Sequence, residues 1–132
     1  MRVVADSHAL VWYFQASPHL SEPARAALEE AEGTEGIVVS VATLVDLWYV
    51  TQTTRSVTVA DLRRLRDQLA TSPRITLHPI DIAVVDAVIE IPRDRLADPW
   101  DRFIVATAKV LSLPLVTRDS GIRDAAVVQT TW

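Results

Sequence analysis

Residues 98–119 read DPWDRFIVATAKVLSLPLVTRD, and this stretch decides the fold. An aspartate followed by proline is a good helix start, and the apolar period predicts that the helix runs from Pro99 to Leu111. Pro114-Leu115-Val116-Thr117 then predicts a short buried strand, which is followed by Asp119. Buried strands separated by helices are typical of α/β proteins with a mostly parallel sheet.

The same alternation extends to both ends of the chain. Apolar runs predict four more strands, at 2–6, 36–39, 74–77 and 126–129. Stretches of helical period between them predict helices at 8–15, 21–33, 41–51 and 82–91, and a further helix that Thr58 opens. No repeat, low-complexity tract or linker divides the sequence, so we expect one domain over residues 1–132, built as an α/β fold around a sheet of about five strands.

The helix that Thr58 opens has a distinct pattern. Thr58 and Asp61 form a capping-box pattern, and the predicted buried stripe consists of Val59, Leu62, Leu65 and Leu69. Three arginines lie off this stripe, where a solvated helix face is the simplest interpretation: Arg63, Arg64 and Arg66.

Composition narrows the class of protein. The chain has 132 residues, of which 49% are hydrophobic and 23% charged, and it has no cysteine. These values exclude a disulfide scaffold, a zinc ribbon and a disordered tail. No apolar run approaches the roughly 20 residues that span a bilayer, and an acid already stands at position 6, so we expect no membrane segment, no signal peptide and a cytoplasmic location.

Several carboxylates fall where strands end or helices begin. Asp6 ends the first predicted strand, Asp119 follows the fourth, and Asp98 and Asp101 begin the helix between them. Ligands of open parallel sheets bind beyond the carboxyl ends of the strands. Aspartate is also a common helix cap and turn residue, which explains Asp6, Asp98 or Asp119 taken singly.

Asp46 is harder to explain structurally. Its predicted helix is apolar on nearly every face, so we expect a buried carboxylate that needs a partner. An arginine in an isolated buried ion pair is one possibility, and a metal ion shared with other acids is the alternative.

Converging carboxylates without cysteine favour a hard cation, Mg²⁺ or Mn²⁺, over zinc. The three histidines, His8, His19 and His78, lack metal-site spacing. A cation held by carboxylates suits phosphodiester hydrolysis, because it lowers the pKa of a bound water and stabilises the leaving oxygen. The formal charge of −4 argues against a nucleic-acid partner. Without the five proposed site acids, however, twelve acids remain against thirteen bases, so most of the acidity belongs to the proposed site and does not exclude such a partner.

Four segments in order resemble the PIN-domain ribonucleases, and among them the VapC-type toxins of toxin–antitoxin pairs. They are VVADSHALVW ending at Trp12, VSVATLVD ending at Asp46, DPWDRFIVATA beginning at Asp98, and LPLVTRD ending at Asp119. The resemblance covers essentially the whole chain. It implies an α/β/α sandwich whose acids bind one or two Mg²⁺ ions and cleave single-stranded RNA or RNA loops.

The resemblance also assigns residues. It implies catalytic and metal-binding roles for Asp6, Asp46, Asp101 and Asp119, a further metal ligand at Asp98, and supporting hydroxyls at Ser40 and Thr117. The family usually has glutamate where this chain has Asp46, a side chain shorter by one methylene. That difference predicts a water-mediated contact or altered activity, not an inactive protein.

The partners it implies are an RNA substrate and a cognate antitoxin that occupies an apolar groove, in a homodimer or a toxin–antitoxin hetero-oligomer. Aromatic residues are candidates for the groove or for the core: Trp12, Tyr13, Phe14, Trp48 and Tyr49. Arg102 and Arg118 stand beside Asp101 and Asp119, and are candidates for contacts with RNA phosphates.

Two other functions compete with a toxin. One is a PIN-type RNA-processing nuclease without an antitoxin. The other is a phosphorelay receiver, which requires paired acids after the first strand, whereas this chain has only Asp6 there and its single lysine, Lys109, lies mid-helix. Dinucleotide binding is weaker still, because the chain has no Gly-x-Gly-x-x-Gly motif.

Overall fold

The computed structural model describes all 132 residues and contains five strands and seven helices. The strands are β1 (Val3–Ala5), β2 (Ile37–Ser40), β3 (Ile75–His78), β4 (Leu115–Val116) and β5 (Thr130–Thr131). The helices are α1 (Ser7–Phe14), α2 (Glu22–Gly33), α3 (Val41–Thr53), α4 (Val59–Thr71), α5 (Ile82–Glu90), α6 (Pro99–Leu111) and α7 (Ser120–Ala125).

All five strands run parallel in the order β3-β2-β1-β4-β5. Val4 lies opposite Val38 on one side and Leu115 on the other, so β1 is the centre of the sheet. The chain proceeds outward from β1 through β2 and β3, then returns to place β4 on the opposite side. A crevice opens where the strand order reverses in this way, and ligands of such sheets bind there.

Strand residues alternate between two apolar cores. Val3 and Val39 pack with Leu28 of α2 and Leu69 of α4, in a core that also includes α1. Val4, Val38 and Leu115 point to the other face, where they pack with α5, α6 and α7. The predicted α/β/α sandwich around a parallel sheet of five strands is therefore confirmed.

Four helices begin at the carboxyl edge of the sheet with a capping side chain. Asp6 caps α1 directly after β1, Ser40 caps α3 at the end of β2, Asp98 caps α6, and Asp119 caps α7 beyond β4. Their carboxylates and hydroxyl accept hydrogen bonds from otherwise unpaired N–H groups of the first turn. Local helix chemistry thus brings three acids to the edge where the crevice opens.

Three details differ from the sequence prediction, and the first is that it did not include α7. The last strand is Thr130–Thr131 and not 126–129, because α7 extends to Ala125 and Ala126 then takes a left-handed conformation at φ 51° that ends the helix. Val59 was predicted in the buried stripe of α4, but it is the first residue of that helix and is 40% exposed. The capping box of Thr58 and Asp61 is confirmed.

No helix combines the length and the apolarity that crossing a bilayer requires.

Candidate active site

An open cleft of about 630 Å³ lies at the carboxyl edge of the sheet. Nine residues line this cleft: Asp6, His8, Trp12, Asp46, Asp98, Asp101, Arg118, Asp119 and Ser120. The five aspartates among them are those that the sequence indicated. These acids come from four separate parts of the chain. The fold brings together all the carboxylates of the prediction in one place.

Asp6 is the most rigidly held of the five. It is only 7% exposed, and both of its oxygens accept hydrogen bonds. Oδ1 accepts from the backbone N–H of Ser7 at 2.7 Å, and Oδ2 accepts from the Thr117 hydroxyl at 2.5 Å. Burial raises the pKa of Asp6 above 3.8, and the bond from Thr117 opposes that rise.

Thr117 connects two of the acids. Its hydroxyl donates to Asp6 and accepts from the backbone N–H of Asp119 at 3.1 Å. One oxygen of Asp119 accepts from the N–H of Ile122 at 2.9 Å, which leaves its other oxygen without a protein donor. Thr117 is fully buried, so it fixes the spacing between the ends of β1 and β4.

Ser7 links Asp46 to the same group and was missed at the sequence level. Its hydroxyl donates to Oδ2 of Asp46 at 2.7 Å, while its N–H donates to Asp6. Only its position next to Asp6 could have indicated this role. Ser40 acts at one remove, because its buried hydroxyl accepts from Ala42 N–H at 3.2 Å and so fixes the start of the helix that carries Asp46.

The expectation that Asp46 is buried, with an arginine as one possible partner, is wrong. Asp46 is half-buried, because its neighbours Val45, Trp48 and Tyr49 lie on a face of the helix that is exposed to solvent. The structure has four ion pairs, and none includes a residue of the cleft.

Asp101 is the least satisfied carboxylate. Asp98 accepts a hydrogen bond from the Asp101 N–H at 3.1 Å, but the carboxylate of Asp101 itself accepts none and forms no ion pair. Burial, followed by the negative charges of Asp98, Asp119, Asp6 and Asp46, raises the pKa of Asp101 from 3.8 to about 7. Burial and the neighbouring carboxylates thus favour the neutral form of this side chain.

The two arginines beside the acids differ in what they contact. Arg102 donates to the backbone carbonyls of Leu96 and Val88 at 2.6 Å and of Ile91 at 2.5 Å, with a longer bond to Pro92 at 3.4 Å. Its guanidinium therefore holds the segment between α5 and α6, and it is not free to bind a phosphate as the sequence suggested. Arg118 remains exposed in the cleft.

The donor set fits a divalent cation. Asp98 and Asp119 each keep one oxygen free of protein donors, Asp101 keeps both, and no basic side chain neutralises them. Carboxylate oxygens are the ligands of hard cations, and a cation would relieve the repulsion that raises the pKa of Asp101. In their present rotamers no three of these acids are placed to share one ion, so an ion held by three or more of them requires rotation of side chains.

The comparisons with known proteins agree with this architecture. The sequence profile of the PIN domain matches residues 3–128. No curated protein sequence matches the chain.

Solved structures with the same fold include VapBC2 from Rickettsia felis bound to a promoter DNA fragment, with 15% identity, TM-score 0.70, and 98% of this chain and 97% of that chain covered. A toxin–antitoxin complex from Klebsiella pneumoniae has 20% identity, TM-score 0.63 and coverage of 94% and 90%. VapBC-5 from Mycobacterium tuberculosis, a member of the VapBC family of toxin–antitoxin systems, has 20% identity, TM-score 0.57 and coverage of 98% and 96%.

Proposed function

The chain belongs to the PIN domain family, and on that premise we propose that it is an Mg²⁺-dependent endoribonuclease, with Mn²⁺ as an alternative ion, that acts as the toxin of a toxin–antitoxin pair. One observation supports the nuclease most strongly. The half-buried carboxylate of Asp101 has no protein partner and faces four other carboxylates in an open cleft. Without a ligand, this clustering of carboxylates only destabilises the fold. A bound cation that acts on a phosphodiester substrate gives the clustering a function.

In the proposed mechanism the aspartates bind the cation and a water molecule attacks the phosphodiester. A divalent cation, when bound, would supply an activated water and would stabilise charge on the leaving oxygen. Asp6, Asp98, Asp101 and Asp119 would hold this cation through their oxygens, and Asp46 would do so directly or through a water. Because water is the nucleophile, the reaction needs no nucleophilic side chain from the protein.

Supporting hydroxyls keep this arrangement rigid. Thr117 keeps the carboxylates of Asp6 and Asp119 at a fixed spacing, and Ser7 orients Asp46. Rigid positioning of ligands lowers the cost of binding and of reaching the reactive geometry.

The toxin role is supported by the structural neighbours, which include a toxin–antitoxin complex and a member of the VapBC family of toxin–antitoxin systems. The chain also has an apolar groove of about 420 Å³ between α3 and α4, lined by Val45, Trp48, Val59 and Leu62 among others. We propose that the cognate antitoxin covers this groove and that the two proteins form a hetero-oligomer in the cytoplasm. Exposed apolar surface of this kind is typical of a protein interface.

The nuclease is tested with purified protein and a mixed-sequence single-stranded RNA. We expect cleavage with Mg²⁺, none with EDTA, and a loss of at least about a hundredfold in Asp6→Asn and Asp101→Asn. Asp67→Asn, which removes an exposed carboxylate of α4, is the matched control and should cleave normally. Undiminished cleavage by both site variants, with thermal unfolding showing intact folds, would refute the site.

The toxin role requires a separate test. Induced expression should stop growth, and co-expression of a short reading frame adjacent to this gene should restore it. Normal growth despite RNA cleavage in vitro would instead indicate an RNA-processing nuclease without an antitoxin.

A further inference from the structure

Arg118 stands in the acidic cleft without a polar partner. It is exposed, and its side chain forms no hydrogen bond and no ion pair, although five aspartates line the same cleft. Its guanidinium carbon lies 5.4 Å from the centre of the Trp12 ring instead. The five N–H donors of a guanidinium lie in its plane, so contact with an aromatic ring leaves them available.

Trp12 is a fixed support for this arginine. The indole is half-buried in α1 and packs against three other rings: His8 and His19 at 5.4 Å each, and Trp132 at 6.0 Å between centroids. A ring restrained on several sides favours one position for the guanidinium above it, through an attraction of about 0.5–1 kcal/mol at exposed sites. It thereby favours a position of Arg118 in which no carboxylate of the cleft lies within ion-pair distance.

Arg102 differs from Arg118 in that its terminal nitrogens already have hydrogen-bond partners. Arg102 follows an aspartate as Arg118 precedes one, yet both of its terminal guanidinium nitrogens donate to backbone carbonyls. Arg118 is the one arginine that lines the cleft. An anionic substrate that enters the cleft therefore meets one permanent cation with unused donors.

We propose that Arg118 binds a phosphate of the single-stranded RNA next to the one that is cut, and that Trp12 is a positioning residue that holds Arg118 for this contact. The inference rests on the proposed nuclease function, since it takes the substrate to be RNA. It narrows the phosphate contact that the sequence allowed for Arg102 or Arg118 to Arg118, and it assigns a role to Trp12, which the sequence left between a partner groove and the core.

The test measures binding of a fluorescein-labelled, mixed-sequence single-stranded RNA of 20 nucleotides by anisotropy, with Ca²⁺ in place of Mg²⁺, over a series of salt concentrations. The variants are Arg118→Gln, Trp12→Leu, Trp12→Phe and the double variant Trp12→Leu/Arg118→Gln. Arg55→Gln is the matched control, because Arg55 is exposed, forms no ion pair and does not line the cleft. Thermal unfolding checks that each variant is folded.

We expect Arg118→Gln to weaken binding about tenfold and to reduce the slope of log K against log salt by about 0.7, the value for one lost phosphate contact on a single strand. Trp12→Leu should reproduce most of this loss, Trp12→Phe should bind like the wild type, and the double variant should bind like Arg118→Gln alone. Non-additivity of this kind is what a positioning role predicts.

Two results would overturn the inference. Binding and slope of Arg118→Gln equal to those of Arg55→Gln would show that Arg118 contacts no phosphate. Losses in the double variant that multiply those of the single variants would show that Trp12 acts independently of Arg118. Either result alongside Mg²⁺-dependent cleavage by the wild type overturns this inference alone, whereas a wild type that does not cleave RNA overturns the proposed function.

Discussion

Replacing Asp101 with asparagine should stabilise the cation-free protein at pH 8. In the folded state the pKa of this carboxyl lies at about 7 against an ordinary value of 3.8, because burial and four neighbouring carboxylates disfavour its charged form. An acid whose pKa is higher in the folded than in the unfolded state makes folding less favourable as pH rises between these two values. Asparagine has nearly the same shape and no charge, so it removes this penalty.

The magnitude follows from the same two values. A rise from 3.8 to about 7 corresponds to about 4 kcal/mol, and solvent screening of a half-exposed group reduces this to about 2 kcal/mol. For a chain of 132 residues this is an increase of about 6 °C in the melting temperature. The gain should be complete at pH 8 and nearly absent at pH 4, where Asp101 is protonated in the folded protein and close to half protonated in the unfolded chain.

The assay is thermal or urea unfolding in EDTA at pH 4, 6 and 8, with Asp67→Asn as the control for the general loss of one negative charge. Saturating Mg²⁺ should reverse the order of stability at pH 8, because the wild type then gains binding free energy that the variant partly lacks. An Asp101→Asn protein that is no more stable than the wild type in EDTA at pH 8 would refute the claim that the carboxylates repel one another in the cleft.

Three further substitutions test the framework. Arg102→Met should lower the free energy of unfolding by about 2–4 kcal/mol in urea titrations, because several backbone carbonyls lose their donor, and Arg102→Lys should not restore it. Gly36→Ala should cost about 1–3 kcal/mol by the same assay, since φ is +108° and the new Cβ would lie 2.7 Å from the backbone oxygen of Arg74. Thr117→Val, which hardly changes the shape of the side chain, should reduce RNA cleavage about tenfold or more, because Oδ2 of Asp6 loses its donor; normal kinetics would contradict that role.

Much of the fold was predictable because local signals agreed with one another. Helix caps at Ser21, Thr58 and Asp98, and apolar runs of the right length, gave the alternation of strands and helices. The last strand was misplaced, because the apolar run at 126–129 resembles a strand, whereas the left-handed turn at Ala126 and the pairing of Thr130 with Leu115 depend on tertiary contacts.

The membership of the cleft was also predictable, whereas the state of each side chain was not. Four of the five aspartates line the cleft because strand ends and helix starts meet at one edge of a parallel sheet, and Asp46 reaches it from the second turn of α3. The exposure of Asp46 depends on which face of α3 the neighbouring helices cover, and a sequence does not state this. Likewise Arg102 and Arg118 have equivalent positions beside an aspartate, but only the fold shows that one contacts carbonyls and the other an indole.

The central claim is that the clustered carboxylates hold a divalent cation, and anomalous diffraction from crystals soaked in Mn²⁺ tests it most directly. We predict one or two anomalous peaks inside the cleft, within coordination distance of carboxylate oxygens of Asp101 and at least one other of the five aspartates, and their loss from Asp101→Asn crystals. No peak in the cleft at a concentration of Mn²⁺ that supports RNA cleavage, or a peak only at another site, would contradict the account.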